Sequence, residues 1–158
     1  MNMIQSRFFS SIIGALALGA SLSVLAATLH ETVREGDAQA VNRMVAANRS
    51  MVNARNELGS TPLHIAAGNS APDAARLLIE KGAAVNVKDN NGATPLHIAA
   101  FSGRKANLEL LLSKGADVHA KDNQGRSARD YAETALNHEI SAILLIRMLA
   151  TPAPAARK

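Results

Sequence analysis

Cysteine and tryptophan are absent from this sequence of 158 residues, and aromatic residues make up only 3% of it. Without cysteine, disulfide bonds, thiolate zinc sites and cysteine nucleophiles are excluded. Hydrophobic residues nevertheless reach 47%, so the core has to be built mainly from alanine, leucine, isoleucine and valine. Such side chains suit short, closely packed helices. The length allows one domain, and a net charge of +4 is too small to indicate a nucleic-acid partner.

The usual motifs of catalysis are missing as well. The sequence contains no Gly-x-Ser-x-Gly, no phosphate loop and no His-Glu-x-x-His. Asp89, Asp122 and Asp130 are scattered along the chain, and we interpret them as turn or cap residues rather than as a carboxylate pair. We therefore expect no catalytic residues, no cofactor and no metal, and we predict that the protein is not an enzyme.

The first 27 residues differ from the remainder. Residues 1–11 hold one basic residue, Arg7, and no acid, and an apolar run follows that ends in the small residues Ala26 and Ala27. This order predicts a cleavable secretory signal peptide, of a bacterial type, with cleavage near Ala26 or Ala27 and a periplasmic or secreted protein. The alternative is a retained membrane anchor, although the run of about 16 residues is shorter than the roughly 20 of a spanning helix.

A seven-residue motif recurs without change. Residues 61–67 read Thr-Pro-Leu-His-Ile-Ala-Ala, and residues 94–100 repeat them at an offset of 33 residues. Alignment on this period divides residues 28–150 into four units, 28–55, 56–88, 89–121 and 122–150. The two outer units are degenerate. Residues 151–158 alternate proline with alanine and end in two basic residues, and we predict a disordered tail.

Within each unit the pattern predicts a turn, a short helix, a second turn and a longer helix. Pro62 and Pro95 suit the first position of a helix, and a threonine precedes each as N-cap. Gly82 and Gly115 suit a helix end, where glycine adopts positive φ. Asp-x-x-Gly runs at residues 89–92 and 122–125 predict tight turns. Extended residues beside them, such as 85–87, are expected to form short β-hairpin loops.

These marks resemble ankyrin repeats, namely Thr-Pro-Leu-His-x-Ala-Ala, Lys-Gly-Ala-Asp-Val and Asp-x-x-Gly at a period of about 33 residues. The resemblance covers about residues 29–149. It implies an all-α solenoid of stacked helix-turn-helix units, with a concave face of hairpin tips and short helices. It also implies a non-catalytic scaffold that binds another protein, and we expect a monomer. A membrane-anchored, envelope-associated structural protein is the alternative function.

His64 and His97 lie one repeat period apart and are the only candidates for a metal ladder. The resemblance implies instead that each imidazole binds backbone and the threonine of its own motif, which ties the turn to the helix. His30 is expected to be the equivalent residue in the first unit. His119 and His138 are expected on loops without a partner at ligand spacing.

Partner contacts in this family come from the hairpin tips and from the two residues after Ala-Ala. By position, these include Phe101 and, in the last unit, Thr134. A basic stripe, defined as Arg55, Lys88 and Lys121, falls at steps of 33 residues. It suits an acidic partner or an anionic surface, or it consists of solvated scaffold residues. The predicted binding residues are Leu58, Asn90, Asn91, Phe101, Ser102, Asn123, Gln124, Arg126, Arg55, Lys88 and Lys121.

Two apolar features have open alternatives. Phe101 is either an exposed anchor for a partner or a side chain that folds over the adjacent repeat. The run at residues 140–149 contains more apolar residues than one packing face needs, because Ile146, Met148 and Leu149 come in addition to the residues that face the previous repeat. The surplus indicates self-association, membrane contact or a helix that curls over the open end of the stack, and we expect the last of these.

Overall fold

The computed structural model describes residues 22–70 and 72–151, with side chains from Leu25 onward. Most of the predicted signal peptide and all but the first residue of the predicted tail lie outside these residues. The first described helix begins at Leu22 and continues without a break through Ala26 and Ala27. None of the described helices is long and apolar enough to cross a membrane.

The described chain forms eight α-helices in four consecutive pairs, which confirms the predicted all-α repeat fold. A 3-10 turn, Arg49–Asn53, follows the second helix and absorbs the extra residue of the first unit. The helices are α1 (Leu22–Glu35), α2 (Ala38–Ala47), α3 (Pro62–Ala67), α4 (Asp73–Glu80), α5 (Pro95–Phe101), α6 (Lys105–Ser113), α7 (Ala128–Thr134) and α8 (His138–Ala150).

The first helices of the four units form a continuous row. Helix α3 packs against both α1 and α5, and α5 packs against α7. The second helix of each unit packs on the first helix of its own pair. We call the surface formed by the exposed side of α3, α5 and α7, together with the loop tips before them, the inner face.

The loops between units contain less β pairing than the predicted β-hairpins. Each tip closes with a backbone hydrogen bond, as in Asp89 N–H to the Ala93 carbonyl at 2.9 Å. One isolated bridge, between Lys121 and Ser127, is the only β pairing in the described residues. Residues 85–87 form no strand because the chain there turns rather than pairing along its length.

The core has the composition that the sequence predicts. Leu29, Leu63 and Leu96 are at most 1% exposed and occupy equivalent positions in successive units. The paired alanines of α3 and α5 are completely buried, and their small side chains allow neighbouring helices to approach closely. Gly82 and Gly115 have φ of +95° and +82°, as predicted for residues that end a helix.

The last helix differs from the prediction in two respects. His138 is the first residue of α8 rather than a loop residue. The helix does not curl over the open end of the stack, because Ile146 and Leu149 remain 66% and 79% exposed. Helix α8 packs on α7 through Ile140 and Leu144, which are buried. Its opposite side therefore carries an apolar surface that no described residue covers.

Candidate protein-binding face

The motif histidines bind the backbone of two units at once. The Thr61 backbone N–H donates to His64 Nδ1 at 3.1 Å, and the Thr61 hydroxyl lies 3.0 Å from the same nitrogen. On the other side of the ring, His64 Nε2 lies 3.1 Å from the Ala93 carbonyl of the next unit. His97 makes the equivalent contacts with Thr94 and with the Arg126 carbonyl.

This geometry assigns the neutral tautomer with the proton on Nε2, because Nδ1 has to accept and Nε2 has to donate. Burial lowers the pKa of His64 and of His97, although the backbone hydrogen bond at Nε2 acts in the opposite direction. The predicted structural role of both histidines is therefore confirmed. His30 Nε2 similarly lies 2.9 Å from the Ser60 carbonyl, so it links the first unit to the second.

The predicted basic stripe consists of side chains that bridge adjacent units. Arg55 donates to the Lys88 carbonyl at 2.8 Å, and Lys88 donates to the Lys121 carbonyl at 2.7 Å. The Lys121 ammonium lies 3.9 Å from an Asp130 carboxylate oxygen. All three side chains are thus lined up as the spacing indicates. Because each is engaged with its neighbour, contact with a partner would have to add to or replace these bonds.

Two of the predicted tip residues also bridge units. The Asn90 side chain donates to the Glu57 carbonyl, and the Asn123 side chain donates to the Asn90 carbonyl, both at 3.0 Å. The remaining tip and post-helix residues differ in exposure. Leu58 is 67% exposed, Asn91 and Gln124 are at least partly exposed, and Ser102 is partly buried at the end of α5.

The most distinctive part of the inner face is an aromatic cleft between α5 and α7. The cleft has a volume of about 210 Å³ and is lined by Ile98, Phe101, Arg126, Tyr131 and Thr134. Phe101 is 53% exposed, and its ring meets Tyr131 edge-on at a centroid distance of 6.3 Å. Both alternatives for Phe101 are therefore met in part, because its ring contacts the next unit and still presents a large apolar surface.

Asp122 holds the far wall of the aromatic cleft in place. Its side chain is 1% exposed and accepts from the Tyr131 hydroxyl at 2.9 Å and from Arg126 Nε at 3.0 Å. Burial by itself would raise the pKa of Asp122. The hydrogen bonds from the Arg126 backbone, the Tyr131 hydroxyl, the Arg126 side chain and the Gln124 backbone outweigh burial and lower the pKa to about 2. Asp122 therefore stays ionised in the fold.

The guanidinium of Arg126 completes the wall. Its central carbon lies 4.7 Å from the centroid of the Tyr131 ring, which is a cation–π arrangement. The side chain is also paired with Asp122 at 2.9 Å. Arg126 was predicted as a tip residue, and the structure places it in the cleft beside Phe101.

Sequence reasoning missed Ile98 and Tyr131 as residues of this face. Both occupy the third position after the proline or its equivalent, where Ile65 stands in the second unit. The residue at that position is half-buried, whereas the His before it and the Ala after it in the motif are buried. The position therefore faces outward. The repeat alignment contains the signal, since one outward position per helix can be identified by elimination of the buried ones.

No group of three histidine or acidic side chains in residues 22–70 and 72–151 is arranged to hold a metal ion. The described inner face carries apolar side chains such as Phe101 and hydrogen-bonding side chains such as Arg126. A row of stacked helix pairs that exposes such a surface defines a repeat scaffold of the kind that functions by protein–protein contact.

Comparison with known proteins agrees with this class. The profile of ankyrin repeats in three copies matches residues 29–122, and the chain belongs to the ankyrin-repeat family. Protein phosphatase 1 regulatory subunit 27 of Homo sapiens and its Mus musculus counterpart are each 44% identical to this chain over 57 residues. The match covers 36% of this chain and 36% of each relative, so it spans about a third of their length.

Proposed function

We propose that this protein binds another protein without catalysis, and that the contact is made by the inner face. The observation that carries the proposal is the aromatic cleft, where a 53%-exposed Phe101 lies beside Tyr131 on a rigid repeat scaffold. Exposed aromatic residues next to polar neighbours are typical centres of protein interfaces. The phosphatase regulatory subunits supply further support, since their name describes proteins that act through another protein.

A capture experiment with matched variants tests the proposal. Purified protein is immobilised and incubated with an envelope extract of its source cells, beside Phe101→Asp and Leu149→Asp. Leu149 is 79% exposed on α8, outside the inner face, so it matches the chemical change at a distant site. We expect one partner to be retained by the wild type and by Leu149→Asp, and to be lost from Phe101→Asp at unchanged circular dichroism. Equal recovery by all three proteins would contradict a contact through Phe101.

We propose further that the protein acts in the periplasm or after secretion, once its signal peptide has been removed. Support comes from the order of charge, apolar run and small residues in the first 27 positions. The core residues of α1, Leu29 and Val33, follow the predicted cleavage site and are fully buried, so they remain in the mature chain. Cleavage after Ala26 or Ala27 would remove the buried Ala26, whose carbonyl lies 2.6 Å from His30 Nδ1. The intact mass of the exported protein tests this. A mass that includes residues 1–26 would support the alternative, a membrane-anchored envelope protein.

A further inference from the structure

Three residues of the aromatic cleft depart from the chain's own repeat pattern. They are Phe101, Arg126 and Tyr131, which belong to different elements but converge on one surface. In the earlier units, glycine (Gly68) stands at the position of Phe101. Ala93 and Ser60 stand at the position of Arg126, and Ile98 and Ile65 stand at the position of Tyr131. The stacking of units does not require large or charged side chains at these positions, because the earlier units stack with small or aliphatic ones. The departures thus indicate a local role for the cleft.

The charge in the cleft is balanced within the protein. Arg126 is fixed by Asp122 through Nε and Nη2, and Nη2 also lies 3.2 Å from the Tyr131 hydroxyl. The Arg126 side chain is 44% exposed, and its Nη1 has no hydrogen-bond partner among the described residues. An arginine paired in this way offers N–H donors in a fixed direction while the pair has no net charge. Such a donor suits a neutral acceptor, for example a main-chain carbonyl.

The volume of the cleft limits the size of the group it can hold. At about 210 Å³ it lies below the roughly 300–1,000 Å³ of pockets for small molecules. It is large enough for one side chain, and the Ile98, Phe101 and Tyr131 side chains that line it are apolar or aromatic. A charged side chain placed there would lose its hydration without gaining an unpaired opposite charge.

Resting on the proposed function, we propose that the aromatic cleft binds one uncharged aliphatic side chain from a segment of the partner protein. Leucine, isoleucine and methionine have this chemistry. A main-chain carbonyl of the same segment accepts a hydrogen bond from Arg126 Nη1. Recognition is therefore apolar and electrically neutral, and it depends little on salt. An acidic partner segment, which the basic stripe would suit, is excluded from this cleft.

The chain contains a built-in probe for this proposal. Tyr131 is the only tyrosine and tryptophan is absent, so intrinsic fluorescence excited at tyrosine wavelengths reports on the cleft alone. The purified full chain is titrated with end-blocked, seven-residue peptides of glycine and serine that carry one variable central residue. The central residue is leucine, isoleucine, serine, aspartate or lysine, and each titration is repeated at low and high NaCl.

We expect a saturable fluorescence change with the leucine and isoleucine peptides, at a Kd at least about tenfold below that of the serine, aspartate and lysine peptides. A tenfold ratio corresponds to about 1.4 kcal/mol. We expect the Kd for leucine to change by less than about twofold with salt. Equal or tighter binding of the aspartate or lysine peptide, a strong salt dependence, or no saturation with any peptide would overturn the proposal.

Two variants separate this inference from the proposed function. Phe101→Ala removes one wall of the cleft and should weaken leucine-peptide binding at least about tenfold, whereas Leu149→Ala should leave it unchanged. If partner capture depends on Phe101 but the peptides do not bind as expected, only the chemistry inferred here is wrong. If the leucine peptide binds while partner capture is unchanged by Phe101→Asp, the proposed contact of the partner with Phe101 is wrong.

Discussion

At the scale of single residues, chemically versatile side chains in this protein hold the backbone together. His64 is 2% exposed and His97 is fully buried, and each imidazole reaches a carbonyl of the following unit. A buried ring with both nitrogens engaged cannot readily take up a substrate or a metal ion. The repeated histidines are therefore part of the packing, and the candidate site consists of the side chains beside them.

Replacement of His64 by alanine should destabilise the fold by about 2–3 kcal/mol. The change removes the bond to the Ala93 carbonyl, which keeps its bond from Asp89 N–H, and it leaves the Thr61 N–H buried without a partner. Urea unfolding followed by circular dichroism measures the effect. His138→Ala is the matched control, because His138 is exposed on α8, and it should change the unfolding free energy by less than about 0.5 kcal/mol. Equal stability of the two variants would contradict the structural role.

The same histidines predict a pH dependence with a definite sign. Burial lowers the pKa of His64 and of His97 below the ordinary value of 6.5. In the range between the folded and unfolded pKa values the unfolded chain binds more protons, so stability rises with pH there. The contribution of both residues is complete above pH 6.5 and is lost as the pH falls through the folded pKa. Urea midpoints between pH 7.5 and 5 should decrease, and this decrease should be smaller in His64→Ala.

At the scale of helices, asparagine side chains serve as external caps. The first helix of a unit is short, and α3 contains only six residues. Most of its carbonyls therefore lack a partner within the helix. The Asn107 amide nitrogen donates to the carbonyls of Ala66, Ala67 and Asn69 at 2.8–3.1 Å. Asn137 caps α5 in the same way, through the carbonyls at its end.

Asn107→Ala should therefore cost about 2–3 kcal/mol of unfolding free energy, since several buried carbonyls lose their only side-chain donor. The buried Oδ1 of Asn107 has no partner in the described chain, so its removal offsets a small part of this cost. Asn90→Ala is the control. It removes one exposed bond to the Glu57 carbonyl and should cost less than about 1 kcal/mol. Similar urea midpoints for the two variants would show that burial does not distinguish these caps.

At the scale of the whole molecule, each unit is held by bonds to its neighbours. The histidine, asparagine and basic contacts all reach from one unit to the next, about 30 residues away in sequence. In the last described unit the Lys121 ammonium lies near a carboxylate oxygen of Asp130 instead of a carbonyl one repeat further on. One side of α8 is exposed, at Ile146 and Leu149.

Because Ile146 and Leu149 are exposed, lysine at either position should change the unfolding free energy by less than about 0.5 kcal/mol. Leu144→Ala in the same helix removes a side chain that is fully buried and should cost about 2–5 kcal/mol. Urea unfolding of the three variants is the measurement. A large loss in Ile146→Lys would show that this side of α8 packs against another part of the chain or a second copy.

The sequence determined the repeat period, the helix starts at Pro62 and Pro95 and the buried positions of the motif. These features could be predicted because they depend on local propensity and on a spacing that repeats. The repeat alignment also indicates which residues face outward, and it identified Phe101 and Arg126. Contacts among them could not be predicted, because residues on different helices and loops approach each other only after the units stack.

Only the tertiary structure decided which exposed groups are free and which are engaged. From sequence, Lys88, Asn90 and Arg126 are equivalent candidates on the loop tips. In the fold the first two donate to neighbouring carbonyls, whereas Arg126 stands beside Phe101 and Tyr131 with one nitrogen available. The physical reason is that a side chain's partner across a unit boundary is set by the rise and rotation between units, and those quantities follow from packing rather than from the motif.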